Sequence, residues 1–159
     1  MRESSKTARL TRPVLRGAAS RSSSYLTVLP LILGLVLIWP FGGGGKNVKM
    51  MAGTDTPAAQ GTIKVQHGDN HNTKLDIKVH ALAQPSSLHP PANVYVVWVQ
   101  PPGQNPKNAG EVTVNDNLDG ELHTVTPYKR FKVFITAEQN AQSESPAGPQ
   151  VLSADIAQG

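Results

Sequence analysis

An uncharged stretch from Ser22 to Gly45 constrains this 159-residue chain more than any other feature. Its centre, Tyr25 to Phe41, is almost wholly apolar. A helix needs about 20 apolar residues to cross a bilayer. The apolar centre reaches that length once its uncharged serine and glycine flanks are counted. The sequence therefore predicts a transmembrane anchor over residues 22–45, in which Gly42–Gly45 end the helix as a flexible joint, and a separate domain after it.

The ends of the apolar run also suit a membrane anchor. Tyr25 and Trp39 stand near its two ends, where interfacial aromatic residues are enriched. Pro30 falls within the first turns, where its missing N–H costs little. The anchor residues that we expect to face lipid are Tyr25, Leu26, Leu31, Leu35, Ile38 and Trp39.

The segment before the anchor is basic. Residues 1–21 carry six Lys or Arg and one Glu, and such flanks stay on the cytoplasmic side of a membrane. This predicts a single-pass protein of a bacterial inner membrane, with a cytoplasmic tail over 1–21 and a periplasmic C-terminal domain. A cleaved secretory signal is the alternative, although an Ala-x-Ala cleavage site is absent.

The charge of the two parts differs in sign. The whole chain carries +4, but residues 46–159 carry nine Lys or Arg and ten Asp or Glu, a net −1. A nearly neutral domain argues against a nucleic-acid partner. The chain has no cysteine, so the domain must be stable without disulfides.

The composition changes again after the anchor. Residues 46–60 show no period, and we interpret them as a linker. From residue 61 apolar and polar residues alternate, as in half-buried strands, and the run VYVVWV at 94–99 suits a central strand. About seven such segments, separated by turn sequences, predict an all-β domain over 61–159. We expect an antiparallel β-sandwich that is immunoglobulin-like in architecture.

Several spaced elements recur in order along this domain. They are carried by Tyr95, Trp98, Gly103, Gly110, Thr136, Glu138, Ser145, Pro146, Gly148, Pro149, Val151 and Leu152. With these elements the domain resembles the C-terminal extracytoplasmic domain of anti-sigma-K-type factors, over about residues 61–157. The resemblance implies a β-sandwich on one transmembrane helix. Such factors hold their sigma factor with a cytoplasmic helical domain, and the short tail here is too small to form one.

Three weaker patterns suggest chemistry. His67 and His71 could hold Cu²⁺ or Zn²⁺, although a solvated hairpin with the same residues is the simpler interpretation. Asn115, Asn117 and Asp119 imitate the start of a calcium loop that lacks its closing acid, so a hairpin turn is favoured. Ser86, Ser87 and His89 lack an acid in sequence to complete a triad.

The aromatic pair Tyr95 and Trp98 lies three residues apart on a predicted strand, hence on opposite faces. We interpret the two as core residues rather than as a stacking site for a ligand. We therefore expect no enzyme activity, no cofactor, no metal and no small-molecule ligand.

The predicted function is that of an interaction module. The anchor would contact membrane lipid, and the domain would dock on a larger membrane protein assembly as an accessory subunit. The alternative is an anti-sigma-factor-like membrane regulator that lacks its own sigma-binding domain.

Overall fold

A computed structural model of the chain describes residues 44–158, which form one all-β unit. Eight strands make up a single sheet in which all paired neighbours are antiparallel, in the order β5-β4-β7-β8-β1-β2-β3-β6. The predicted all-β antiparallel class is confirmed. The strands are β1 (Lys46–Ala52), β2 (Gln60–His67), β3 (Thr73–His80), β4 (Val94–Gln100), β5 (Lys107–Val112), β6 (Gly120–Thr126), β7 (Arg130–Glu138) and β8 (Gln150–Ala157).

Strand β1 corrects the sequence analysis, which placed a linker over residues 46–60 and counted about seven strands. Lys46–Met50 pair with β2, and the strand then passes Met51 and Ala52 to β8. Its inward residues, Val48 and Met50, pack against the core. Two apolar positions among lysines make too weak an alternation to be recognised without the partner strands.

The sheet bends round until it nearly closes into a barrel. Its outermost strands, β5 and β6, approach each other, and the side chain of Leu122 on β6 borders Gly110 on β5. The predicted sandwich and the observed structure are thus both all-β and antiparallel. They differ because the strands form one continuous sheet instead of two separate sheets. The difference arises at β1, which joins strands that a sandwich would keep in separate layers.

One face of every strand fills the interior. On β3 the side chains of Leu75, Ile77 and Val79 are fully buried while Lys74, Lys78 and His80 are exposed. This alternation follows from the two-residue period of a strand. Burying one large aliphatic side chain contributes about 1.5–3 kcal/mol, so the interior is the main source of stability.

The turn at residues 113–119 joins the two edge strands. The Asn115 side-chain oxygen accepts hydrogen bonds from the backbone N–H groups of Asn117 and Asp119, at 2.9 and 3.0 Å. Leu118 has a positive φ of 64°. These local bonds favour a tight turn over the calcium loop at this position. The predicted hairpin is wrong in one respect, because the two strands that the turn joins, β5 and β6, are not paired with each other.

The predicted cytoplasmic tail and nearly all of the predicted membrane segment, with its six named anchor residues, lie outside the described residues. Across residues 44–158, no helix has the length and hydropathy to span a membrane.

Candidate functional site

The outer surface of β1, β2, β3 and β6 carries an ordered array of polar side chains. They point outward because the alternate residues of the same strands fill the core. We call this surface the polar wall, and its members are Asn47, Lys49, Thr62, Lys64, Asp76, Lys78, Glu121 and His123.

The first row of the wall crosses four strands. Asn47 lies opposite Lys64, Lys64 opposite Asp76, and Asp76 opposite His123. The Nδ1 atom of His123 is 2.7 Å from a carboxylate oxygen of Asp76, and its Nε2 atom is 3.9 Å from Glu121. The hydrogen bond with Asp76 is the main cause that raises the pKa of His123 above its ordinary 6.5, and the nearby negative charges of Asp76 and Glu121 add to it.

The second row contains Lys49, Thr62, Lys78 and Glu121. Lys78 Nζ lies 3.8 Å from a carboxylate oxygen of Glu121, with both side chains about 60 % exposed. An ion pair this exposed contributes little to stability, about 0–1 kcal/mol. Its charges therefore remain accessible to a partner.

A shallow groove of about 330 Å³ runs along this wall, lined by Asn47, Thr62, Lys64, Asp76, Lys78 and His123. The lining residues lie on neighbouring paired strands, so the strand register sets the order of the polar groups. The groove is open to solvent, and it suits recognition of a complementary polar surface better than enclosure of a small molecule.

A second histidine–carboxylate pair lies at the end of β3. His80 Nδ1 is 2.8 Å from an Asp119 carboxylate oxygen, and both side chains are substantially exposed. The Asp119 carboxylate is therefore already paired with His80. This pairing is a second reason to interpret the Asn115–Asp119 segment as a turn rather than as a calcium loop.

His67 and His71 flank the hairpin between β2 and β3, and both are exposed. His67 ends β2, whereas His71 sits in a single 3-10 turn, Asp69–His71, with a φ of 60°. Within the described part of the chain, no three His, Cys, Asp or Glu side chains gather into a potential metal site.

Ser86 and Ser87 lie in a 3-10 turn, Pro85–Ser87. The Ser87 hydroxyl donates to the Gln84 carbonyl at 2.7 Å. This local bond explains the role of the hydroxyl as a turn-stabilising group.

Tyr95 and Trp98 lie on opposite faces of β4, as predicted. Tyr95 is fully buried in the barrel interior, and its hydroxyl donates to the Ala83 carbonyl at 2.8 Å. Burial raises the pKa of Tyr95 to about 12. Its role as a core residue is consistent with these contacts.

Trp98 corrects the expectation that both aromatic residues belong to one core. It is fully buried, but on the outer side of the sheet, in a small cluster with Val96 and Phe134. Its indole N–H donates to the Thr136 hydroxyl at 2.7 Å. The side chain is covered from outside, which the alternation of strand residues could not reveal.

A loop over residues 139–149, which we call the cover loop, crosses this side of the sheet. Asn108 on β5 donates its amide hydrogens to the carbonyls of Ala141 and Ser143, at 2.8 and 3.0 Å. On the other side of β4, the buried Glu138 carboxylate accepts bonds from the N–H groups of Ala147 and Gly148, at 3.0 and 3.2 Å. The loop is therefore held on both flanks of the strand that carries Trp98.

Glu138 completes a continuous polar chain. The Thr136 hydroxyl, which accepts from Trp98, donates to the same Glu138 oxygen at 2.6 Å. Thr136 and Glu138 are two residues apart on β7 and so share a face. The chain Trp98–Thr136–Glu138–cover loop links elements that are far apart in sequence.

The remaining positions of the resemblance have structural roles. A methyl group at Gly148 would overlap the Ala137 carbonyl oxygen, so only glycine fits there. Leu152 is buried in the barrel interior, and Pro146 is partly buried in the cover loop. Gly103 and Gly110 both have positive φ, 70° and 128°, at a turn and a bulge.

Sequence reasoning missed the polar wall. Its key pair joins Asp76 on β3 to His123 on β6, and these strands are not consecutive in the chain. The only sequence signal is that polar residues alternate along each strand. That signal marks an exposed face without telling which strands are neighbours.

No model of a known protein family matches the chain, and a search of curated proteins found no match.

Proposed function

We propose that the chain is a non-enzymatic, membrane-anchored interaction module. In this proposal residues 22–45 form the transmembrane anchor with its Gly-rich end, the N-terminus is cytoplasmic, and the β-domain lies in the periplasm. The partners are membrane lipid and a larger membrane protein assembly, on which the domain docks as an accessory subunit.

The polar wall is the observation that carries the docking role. Its charged side chains stand on neighbouring strands and are accessible to solvent. They form two rows beside a shallow groove. Such a surface gives register and specificity to contact with a complementary charged surface. The anchor holds the domain beside membrane partners, and tethering turns a weak contact into a stable one.

An anti-sigma-factor-like regulator is the second candidate. The connection of Trp98, Thr136, Glu138 and Gly148 favours it, because positions that carry the resemblance act together in one structural unit. These contacts support the idea that this domain and the extracytoplasmic domain of anti-sigma-K-type factors share one structural arrangement.

Co-purification from the native membranes tests the docking role. We would compare the tagged full chain with a wall variant, Lys49→Gln, Lys64→Gln and Lys78→Gln. The matched control is an end variant with the same loss of charge elsewhere, Lys46→Gln, Lys107→Gln and Arg130→Gln. All six side chains are exposed, so both variants should fold.

We expect the full chain and the end variant to retain a membrane protein that the wall variant loses. Equal recovery with both variants would contradict docking through the wall. Recovery of a sigma factor with its regulator, in place of a membrane assembly, would favour the second candidate.

A further inference from the structure

Charge is segregated along the axis of the barrel. One end is formed by the start of β1, the β2–β3 and β4–β5 hairpins, the β6–β7 turn with the first residues of β7, and the end of β8. We call it the basic end. Its Lys and Arg residues are Lys46, Lys74, Lys107, Lys129 and Arg130, against the acids Asp69 and Asp155, a net +3.

The opposite end and its adjoining strand halves carry a net −4. Lys49 and Lys78 are there outnumbered by six acids, while two lysines, Lys64 and Lys132, and two acids, Asp76 and Glu144, cancel between the two ends. The six acids are Asp55, Glu111, Asp116, Asp119, Glu121 and Glu138. A domain whose total charge is close to zero therefore has a strong electrical polarity.

The basic end also offers apolar surface beside its charges. A cavity of about 460 Å³ opens there, with the exposed Pro102 and Ala157 among its lining residues and Arg130 beside them. Tyr128 is half-buried in the neighbouring turn, with Lys107 Nζ 5.7 Å from its ring centre. Basic side chains next to a tyrosine ring are a mixture that membrane interfaces favour.

The same end lies closest to the apolar segment along the chain. β1 begins at Lys46, five residues after Phe41. A spacer of that length spans at most about 17 Å when fully extended. With the segment in a bilayer, the basic end cannot move far from the lipid headgroups.

We propose that the basic end docks on the anionic lipid headgroups of the leaflet at which the anchor ends. This rests on the proposed membrane anchoring and deepens it. Docking would stand the barrel upright on the membrane. Each basic residue near an anionic surface strengthens binding about fivefold, so removing three should shift the docked population roughly 100-fold at low salt.

The absence of cysteine allows a direct test on the full chain. Gln104→Cys places a dye at the exposed tip of the β4–β5 hairpin on the basic end, and Asn117→Cys places the matched dye at the opposite end. The chain is reconstituted in vesicles with a headgroup-attached quencher. One set contains phosphatidylglycerol, and the other only phosphatidylcholine.

We expect the dye at 104 to be quenched in the anionic vesicles and the dye at 117 to stay bright. The quenching should vanish in about 1 M salt, where the Debye length is about 3 Å. It should also fall in the Lys46→Gln, Lys107→Gln, Arg130→Gln variant. The wall variant, which loses the same number of charges, should keep it.

Equal quenching at 104 in both lipids, insensitive to salt, would overturn the proposal, because spacer length alone would explain it. Absent quenching at 104 would overturn it too. Flotation of the vesicles separates the two levels: protein that floats without quenching refutes docking alone, whereas protein that does not float refutes the membrane anchoring as well.

Discussion

Replacing Glu138 by alanine should release the cover loop from the sheet. The Glu138 carboxylate is 3 % exposed and accepts three hydrogen bonds through one oxygen, from the Thr136 hydroxyl and the N–H groups of Ala147 and Gly148. Glu138→Ala deprives all three donors of their acceptor. Leaving a buried donor unpaired costs about 1–3 kcal/mol.

The expected loss is about 3 kcal/mol, because the two loop N–H groups can regain water once the loop lifts. Total stability of such a domain is about 5–15 kcal/mol, so the loss is large. The melting temperature should fall by roughly 12 °C. Glu138→Gln keeps an acceptor oxygen and should lose only about 1 kcal/mol, which makes it the matched control.

Trp98 provides the local readout, since its indole N–H belongs to the same chain of hydrogen bonds. In a Trp39→Phe background it is the one remaining tryptophan. We expect red-shifted emission for folded Glu138→Ala and an unchanged spectrum for Glu138→Gln. If Glu138→Ala kept both the melting temperature and the emission maximum of its parent, the network would not hold the loop.

Three further predictions concern other positions. In urea unfolding, Gly148→Ala should lose about 3 kcal/mol of stability because its methyl group would overlap the Ala137 carbonyl, whereas Gly103→Ala, with open space around it, should lose about 1 kcal/mol. Equal losses would contradict the close approach of Gly148 to the Ala137 carbonyl. Because its pKa is raised, protonated His123 stabilises the fold below pH 6.5, and this stabilisation is lost as pH rises through the pKa of the folded state. In His123→Ala the urea midpoint should lose this dependence on pH, and a dependence equal to that of the parent chain would refute the pairing with Asp76. Tyr95 should deprotonate near pH 12 rather than 10, so ultraviolet titration should show one tyrosine that ionises only near pH 12, and the stability of the fold should decline between pH 10 and 12. Ionisation of Tyr95 near pH 10 would mean that its side chain is exposed.

Much of the fold could be predicted because alternation survives in single strands. Segments around Ile63, Leu75, Val97, Val133 and Val151 all form strands close to where the pattern placed them. The bounds of strand β5, Lys107–Val112, are harder to recognise in the sequence, because a bulge and Gly110 interrupt its alternation.

The position of Trp98 and the polar wall could not be predicted for a related reason. Strand period separates two faces but does not tell which face a distant loop covers or which strands become neighbours. Trp98 is buried by a loop that begins about 40 residues later in the chain. His123 meets Asp76 only because β6 pairs with β3 across two intervening strands in sequence.

Sided labelling tests the central claim, membrane anchoring with the domain outside, most directly. Two variants with a single cysteine, Ser4→Cys and Asn117→Cys, are treated with a maleimide that cannot cross the inner membrane. The reagent is applied first to intact cells whose outer membrane has been permeabilised and then to lysed cells. We predict that Asn117→Cys reacts in both samples and that Ser4→Cys reacts only after lysis. Labelling of Asn117→Cys only after lysis would contradict the account, because the domain would then lie in the cytoplasm.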